Sequence, residues 1–296
     1  MKLSIGVALL VLVLGVGMPS SGGAEDTVLP AKVEQEPISR IVMKNGQIYR
    51  GWIIEQSDTH IRVDLLGAGE MTLERDKVQS VTVDETVEMN EKGELYKRDP
   101  NRTRYLYGPS AVSLKKGEGY FSQKQLFFSS MAYGLTDNIS ILAGSIIPLL
   151  LGSDGTFNFI TAVKVGDTIS EDQLHLAAGA EAFSIEDDGD ILSAGFIFGS
   201  ATLGSHRQHF TLSAGKPFAL SSDSKDLGPI IVTLSGNVRT GRRVSLISEN
   251  WFFEDYHILS AAARLMGENL AVDVGLLFFK DADIPIPWLD FTYNWF

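Results

Sequence analysis

Cysteine is absent from the 296 residues of this sequence. The chain therefore offers no disulfide framework, no thiolate nucleophile and no cysteine-based zinc site. Charged residues are also few, at 21% of the chain, and the acidic excess gives a formal net charge of -12. Since phosphate recognition needs clustered lysine and arginine, we predict that nucleic acid is not a partner.

Long apolar segments are missing beyond the N-terminus. The best, residues 139–151, is interrupted by Gly144, Ser145 and Pro148, so it cannot form the apolar helix of about 20 residues that crosses a bilayer. In lipid, backbone polar groups must pair within the protein, which only helices and closed barrels achieve. A membrane location for the mature protein would therefore require a β-barrel.

The first 24 residues have the organisation of a secretory signal peptide. Lys2 gives the positive start, residues 3–16 are apolar, and the small residues 22–24 offer a cleavage site. We predict a signal peptide over residues 1–24, with a short membrane anchor as the alternative. No cysteine follows the apolar stretch, so this is not the signal of a lipoprotein.

Residues 39–83 predict a small β module of five short strands. An Asn-Gly pair lies between two alternating segments, which is the strongest short signal for a hairpin. The segment resembles the small SH3-like or Sm-like β modules of the periplasm through Lys44, Asn45, Gly46, Ile48 and Gly51. Such modules bind peptides, nucleic acid or nothing, so the fold does not fix a ligand. In this compartment we expect an envelope protein as the partner of residues 39–83.

Residues 84–100 carry repeated aspartate and glutamate with few apolar residues. We predict an acidic, solvated linker. A calcium site is the alternative, but the ligand spacing of an EF-hand loop with its central glycine is missing.

From residue 101 onward, segments of eight to twelve residues alternate in polarity between turn residues. The pattern predicts an all-β fold, in which an antiparallel transmembrane β-barrel of 10–12 strands over residues 101–296 follows the small module. A barrel of ten strands fits the pattern nearly as well as one of twelve, because strand boundaries predicted from sequence are uncertain by a few residues. The candidate strands are 103–114, 119–131, 137–147, 157–167, 173–185, 190–203, 207–216, 229–239, 243–253, 256–266, 269–279 and 287–296.

The last strand has the clearest alternation. Apolar Leu289 and Phe291 begin a face that continues with Tyr293 and Trp295, and polar residues occupy the positions between them. This ending resembles the C-terminal strand of bacterial outer-membrane barrels, which closes on phenylalanine as an assembly signal. The resemblance assigns that signal to Tyr293, Trp295 and Phe296, although Phe296 is one position out of phase. It implies outer-membrane lipid and the barrel assembly machinery as partners.

A second resemblance lies further upstream. Residues 132–139 are similar to a hairpin common in outer-membrane barrel families, with a tight turn at Thr136, Asp137 and Asn138. The broader run 102–148 resembles a group of uncharacterised bacterial outer-membrane barrel proteins. It adds support to the fold and assigns no activity.

Chemistry-bearing motifs are few. The sequence has no G-x-S-x-G nucleophile elbow and no glycine-rich loop that leads into a helix. His206 and His209 are three apart on a predicted strand and point to opposite faces, which disfavours a shared metal. His175 and Glu181 share a face, but six residues of strand separate them by roughly 20 Å. We therefore predict no catalytic residue, no metal site and no cofactor.

The alternation also predicts charged side chains that face the lumen. Buried charges must pair across the lumen or line water, because unpaired ones are costly. The lumen is then either plugged and structurally satisfied, or it forms a narrow pore or a pocket for a small ligand. The lumen-facing candidates are Lys164, Glu181, Arg239, Arg264, Asp273 and Asp290.

These patterns together predict a non-enzymatic protein of the bacterial outer membrane, with the N-terminal module in the periplasm. Its role would be structural or that of a passive channel for small solutes. A soluble periplasmic or secreted β-sandwich that binds a ligand or a protein is the alternative. A membrane-embedded hydrolase is a third option that no motif supports.

Overall fold

The computed structural model describes residues 37–65, 68–84, 87–89, 95–147, 157–170, 173–187, 190–219, 228–267 and 269–295. The predicted signal peptide, residues 1–24, and the terminal Phe296 lie outside this part of the chain. The chain divides into two compact units, and in its described part the boundary between them falls between Arg98 and Asp99. No helix among the described residues is long and apolar enough to cross a bilayer.

The first unit contains an antiparallel sheet of five strands in the order β4-β3-β2-β1-β5. The Asn45-Gly46 turn joins the first two strands, and Gly46 has a φ of +86°, a conformation that glycine adopts without strain. Its core includes Ile41, Ile61 and Val63, which are fully buried. The five predicted strands are confirmed, while the SH3-like or Sm-like relationship stays a prediction. They are β1 Ser39–Met43, β2 Ile48–Gln56, β3 His60–Asp64, β4 Glu70–Glu74 and β5 Val78–Val83, with a 3-10 turn at Arg75–Lys77 before β5.

The acidic stretch after this sheet is not a solvated linker throughout. The strands β6 Val87–Met89 and β7 Leu95–Lys97 pair as a separate antiparallel hairpin. At its start, Asp84 is buried and accepts a hydrogen bond of 2.6 Å from Arg50 Nε. The described part of residues 84–100 therefore contains strand pairing and a buried ion pair, where the composition indicated a linker.

The second unit is a closed antiparallel barrel of twelve strands. The barrel architecture is confirmed, and closure excludes the β-sandwich that the sequence left open as an alternative. The strands are β8 Gly119–Lys124, β9 Phe128–Gly134, β10 Ile139–Ile146, β11 Asn158–Ser170, β12 Leu174–Asp187, β13 Asp190–Gly204, β14 Gln208–Ala219, β15 Ile231–Gly241, β16 Val244–Phe252, β17 His257–Met266, β18 Leu270–Phe279 and β19 Ile286–Trp295.

Two predicted strands are wrong, although the count of twelve agrees. Residues 103–114 form no wall strand, and residues 119–131 form two strands instead of one. The chain reverses between β8 and β9 at Gln125 and Leu126, whose φ values are +52° and +64°. Non-glycine residues seldom adopt this conformation, so the sequence pattern gives no sign of the turn. The Gln125 side chain holds the turn by donating to the Pro287 carbonyl at 2.8 Å.

The β19 strand shows how sequence alternation becomes two faces of a wall. Asp290, Thr292 and Asn294 are buried inside the barrel, whereas Phe291 and Tyr293 are exposed on its outer surface. Successive side chains of a strand point to opposite sides, so this polarity is inverted relative to a water-soluble protein. The barrel closes where β19 pairs with β8, from Asp290 opposite Lys124 to Trp295 opposite Gly119.

The two ends of the barrel differ in the length of their connections. At one end, called the turn end, the connections are short: 135–138, 171–173, 205–207, 242–243 and 267–269. At the other, called the loop end, some are longer: 125–127, 147–157, 188–189, 220–230, 253–256 and 280–285. The β8 strand starts at the turn end and β19 finishes there, so the chain enters and leaves the barrel wall on the same side.

We expect Gly51→Ala to lower the free energy of unfolding of the five-stranded sheet by about 1–3 kcal/mol. A Cβ atom at this position would overlap the carbonyl oxygen of Asp64 and force β2 away from β3. Hydrogen exchange of peptides from residues 39–83, measured in the full chain, would detect the loss. The control is Gly46→Asn, since the space there is open and asparagine tolerates positive φ. Unchanged protection in Gly51→Ala would contradict the prediction.

Candidate functional site

Residues 99–114 lie inside the barrel and are called the plug. They form a loop that ends in a tight turn, called the tip, at Leu106, Tyr107 and Gly108. Next to it, Arg104 and Pro109 make an isolated antiparallel bridge, and the Tyr105 N–H donates to the Gly108 carbonyl at 2.9 Å. Proline lacks a backbone donor and is disfavoured inside sheets. The plug contains two prolines, at 100 and 109. They are a weak signal, because the wall strands β14 and β19 also contain a proline each, Pro217 and Pro287.

Arg264 on β17 anchors the plug to the wall. It makes two hydrogen bonds to Asp273, its cross-strand neighbour on β18, at 2.7 and 2.8 Å. Its guanidinium also donates to the Asp99 carboxylate at 2.9 Å and to two plug carbonyls, those of Tyr105 at 2.8 Å and Asn101 at 3.1 Å. Arg264 is 0% exposed, so this positive charge is balanced entirely by protein groups.

Arg104 makes the opposite connection, from the plug to the wall. It donates to the Asp290 carboxylate on β19 at 2.7 Å and also bonds Thr292. Ser122 on β8 donates to the other carboxylate oxygen of Asp290 at 2.9 Å. The Arg104 guanidinium lies over the Tyr120 ring, 5.2 Å from its centroid. Both strands at the barrel closure therefore contribute to holding this arginine.

Glu249 on β16 holds the tip of the plug. One of its carboxylate oxygens accepts three consecutive backbone N–H groups, from Leu106 at 2.8 Å and from Tyr107 and Gly108 at 3.0 Å each. Its other oxygen accepts the indole N–H of Trp251 at 2.7 Å. A concave run of N–H groups of this kind is an anion site, and here the anion belongs to the protein. Sequence reasoning did not select Glu249.

The wall itself is altered beside Glu249. The ladder between β16 and β17 is interrupted there, and side chains replace the missing main-chain bonds. The Ser260 hydroxyl accepts the Glu249 N–H and donates to its carbonyl, both at 2.7 Å. The Ser260 N–H in turn donates to the Asn250 side-chain oxygen at 3.1 Å. The two strands can therefore separate locally without leaving these backbone groups unpaired.

Two further wall residues from the predicted set contact the plug. Glu181 on β12 accepts the Tyr107 hydroxyl at 2.5 Å. The Lys164 ammonium on β11 has no carboxylate partner within the described residues and donates to three plug carbonyls, those of Thr103 at 3.2 Å, Ser110 at 3.0 Å and Val112 at 2.6 Å. Carbonyl oxygens thus replace the water shell of this buried cation.

His209 on β14 has a structural role in the lumen. Its ring lies 2.7 Å from the Tyr105 hydroxyl and 3.2 Å from the amide nitrogen of Asn237. That amide also donates to Asp99 at 2.8 Å. Within the described ranges, no group of three His, Asp or Glu side chains is arranged to hold a metal ion.

A serine and a histidine lie close together in the N-terminal unit, at Ser57 and His60 on the hairpin between β2 and β3. The Ser57 hydroxyl is 2.9 Å from a ring nitrogen of His60. The same hydroxyl also accepts the His60 N–H and donates to the His60 carbonyl, both at 3.1 Å. These are the bonds of a serine that closes a turn.

The sequence-predicted residues occupy different places in this site. Lys164, Glu181, Arg264 and Asp290 contact the plug directly, and Asp273 reaches it through Arg264. The structure brings these five together. Arg239 lies at the turn end, where it donates to the Arg242 carbonyl at 3.1 Å. Of the predicted assembly signal, Tyr293 is exposed on the outer surface and Trp295 is partly exposed, while Phe296 lies outside the described chain.

A cavity of about 70 Å³ remains between the plug and strands β8 to β13. Glu181, Lys164 and Tyr107 are among its lining residues, as are Thr103 and Arg104. Thr103 Oγ1 and Arg104 Nε are buried and have no hydrogen-bond partner among the described residues. On this measure one water needs about 10–15 Å³, so the cavity has room for several waters that would satisfy these atoms.

Comparison with known proteins gives little further information. No family model matches the sequence, and no curated protein matches it. Among solved structures, the fold is similar to the crystal structure of the Acinetobacter baumannii outer membrane protein Omp33. That match covers 60% of this chain and 96% of the other, with 10% sequence identity and a TM-score of 0.34. A similarity this low assigns no family.

We expect Arg264→Met to lower the free energy of unfolding of the barrel by about 3–5 kcal/mol. The substitution leaves the carboxylates of Asp99 and Asp273 buried without their shared cation. Urea unfolding of the full chain in detergent micelles would measure the change. Arg239→Met is the matched control and should cost about 1 kcal/mol or less, because that arginine is only partly buried at the turn end. Equal losses in both variants would refute the anchoring role of Arg264.

Proposed function

We propose that this protein is a non-enzymatic barrel of the bacterial outer membrane that closes its own lumen with residues 99–114. The observation that carries the proposal is a belt of exposed apolar side chains around the outer surface of the barrel. Apolar surface left in water costs about 25 cal/mol per Å², whereas lipid accepts it. Members of the belt include Phe121, Met131, Ile141, Phe159, Val163, Leu176, Ile197, Leu212, Leu246, Leu265, Val274, Leu276, Phe291 and Tyr293.

The orientation we propose places the turn end in the periplasm. Outer-membrane barrels have short turns on the periplasmic side and longer loops outside. The chain enters β8 at the turn end, so residues 39–83 would lie in the periplasm before it. In this arrangement the partners are outer-membrane lipid around the belt, an envelope protein on residues 39–83, and the barrel assembly machinery on the last strand.

A structural role is supported best by the interior. Arg264, Arg104 and Glu249 each hold the plug, and each charge has its own partners. Arg264 pairs with Asp99 and Asp273. Arg104 pairs with Asp290, and Glu249 accepts three plug N–H groups. None of these contacts requires an open path through the lumen. The protein would then serve as a closed membrane anchor for the module at residues 39–83.

A passive channel for small solutes is a second candidate, favoured by the way the plug is held. Within the described chain, side chains make the hydrogen bonds between the plug and the wall, and no main-chain bond joins the two. Side-chain contacts can be exchanged without breaking the barrel ladder. The cavity of about 70 Å³ beside the plug would then be part of the path.

The membrane location predicts a specific behaviour during fractionation. We expect the protein in the outer-membrane pellet of the producing cell, and we expect the unheated sample to migrate faster on a gel than the boiled one. Closed barrels resist detergent until they are heated, because each strand is paired on both sides. A protein that is soluble in the periplasm, with identical migration in both samples, would refute the proposal.

The closed lumen predicts the conductance of the barrel in planar bilayers. The wild type should be closed for most of the recording, and Glu249→Ala should open at least about tenfold more often. The three N–H groups of the plug tip lose their acceptor, and each unpaired group costs about 1–3 kcal/mol.

Leu246→Ala is the control for this experiment, since Leu246 lies on the same strand and faces outward. It should be as closed as the wild type. If Glu249→Ala also stays closed, the plug is not held by its tip and the channel candidate fails. If the wild type is open throughout, the closed structural role fails instead.

A further inference from the structure

The shortest part of the barrel wall is the hairpin formed by β8, residues 125–127 and β9, called the short hairpin. Its strands have six and seven residues, whereas β12 and β13 have 14 and 15. At about 3.3 Å per residue and a tilt of about 40°, six or seven residues rise only about 15–18 Å along the barrel axis. The apolar band of an outer-membrane barrel is about 25 Å tall. The short hairpin therefore does not span such a band.

The turn of the short hairpin is apolar. Leu126 is 71% exposed and Phe127 is 47% exposed. Each other connection that the structure describes completely contains a charged residue, whereas residues 125–127 contain none. Those other connections are 135–138, 205–207, 242–243, 253–256 and 280–285. The short hairpin thus ends in apolar surface, where the other described connections carry charge.

Hydrogen bonds on both sides hold this turn in place. Towards β19, the Gln125 N–H donates to the Leu289 carbonyl at 2.8 Å, and the Gln125 side-chain oxygen accepts the Leu289 N–H at 3.2 Å. Towards β10, the Ile147 N–H donates to the Phe127 carbonyl at 2.8 Å. Leu126 has a φ of +64°, a conformation that glycine or asparagine adopts more readily. An exposed leucine is therefore unfavourable here in water on two counts, its backbone conformation and its apolar surface.

The apolar surface of the turn continues the belt on the outer face of the barrel. Phe121 on β8 and Met131 on β9 belong to that belt and are exposed. Between them and the turn, Gln123 and Ser129 also face outward, and the Ser129 hydroxyl donates to the Gln123 side-chain oxygen. Hydrogen bonding within this pair reduces the cost of placing its polar atoms next to lipid. The outer surface of the short hairpin is therefore compatible with lipid as far as its turn.

From this arrangement we propose that Leu126 and Phe127 insert among the acyl chains of the membrane, so that lipid covers the short hairpin up to and over its turn. The acyl chains remove the apolar surface of the two side chains from water, which offsets the strain at Leu126. A wall shorter than the apolar layer is accommodated by local thinning of the bilayer. The bilayer is therefore thinner beside β8 and β9 than beside β12 and β13.

This inference rests on the proposed membrane location and adds the depth of one turn to it. The two proposals can fail separately, because different residues report on them. Met131 on the belt reports whether the barrel lies in lipid, and Leu126 reports whether the turn does.

The test is spin labelling of the full chain reconstituted in phosphatidylcholine vesicles. The chain has no cysteine, so Leu126→Cys, Met131→Cys and Asp255→Cys each provide a single labelling site. Oxygen dissolves among acyl chains, whereas a polar nickel complex stays in water, so the ratio of the two accessibilities reports the depth of the label. We expect the ratio at residue 126 to be close to that at residue 131 and at least about fivefold above that at residue 255, because a polar complex is excluded from hydrocarbon. Asp255 is the control since it is exposed on the loop-end connection 253–256.

Each pattern of accessibilities has a definite meaning. A ratio at residue 126 equal to that at residue 255, with a lipid value at residue 131, would overturn the inference and leave the membrane location intact. Water values at all three positions would overturn both proposals. Low accessibility of residue 126 to both reagents would indicate a protein contact at the turn, and that would also overturn the insertion.

A substitution that favours the turn in water gives an independent test. Leu126→Asn relieves the strain of the positive φ, so a turn in water would become as stable as the wild type or more stable. In lipid the same change places an amide among acyl chains, and we expect urea unfolding in vesicles to shift to lower urea concentration. Asp281→Asn is the matched control, because Asp281 has a φ of +66° on the loop-end connection 280–285 and should keep the urea midpoint of the wild type. A midpoint for Leu126→Asn at or above that of the wild type would contradict the insertion.

Discussion

Arg264 determines the organisation of the interior because burial of a guanidinium is costly unless acceptors compensate its charge and its donors. Its five N–H groups are all used, on the carboxylates of Asp273 and Asp99 and on the carbonyls of Asn101 and Tyr105. The wall alone supplies only the first of these partners. Burial of this charge therefore requires the plug, and the wall and the plug depend on each other.

The same mutual dependence of wall and plug recurs at other places in the lumen. Lys164 of the wall uses plug carbonyls, and Glu249 of the wall uses plug N–H groups. A loop that pairs with no strand must satisfy its backbone in some other way. The charged side chains of the wall meet that need, and the plug backbone in turn neutralises them. The charged residues of the wall that contact the plug therefore have a structural role.

Local pattern explains what the sequence could predict. Alternation is a property of neighbouring residues, so the faces of β19 and the inward positions of Arg264 and Asp273 can be read directly. The hydrogen-bond partners of these residues cannot be predicted in this way, because Asp99 is 165 residues from Arg264 along the chain. Gln125 in the turn between β8 and β9 has a positive φ, which glutamine seldom adopts, so its residue type does not predict the turn. Glu249 was missed for a related reason, since its importance comes from the plug tip that it binds.

The interior satisfies its charges before its smaller polar groups. Arg264 uses every donor, and Glu249 is surrounded by N–H groups. Several neutral side-chain atoms, by contrast, are buried with no hydrogen-bond partner among the described residues, including Thr103 Oγ1 and the hydroxyls of Ser200 and Ser213. This order follows from the energies, because an unpaired buried charge costs far more than an unpaired hydroxyl. A water can satisfy a hydroxyl where there is room for it, so the fold tolerates these groups at little cost.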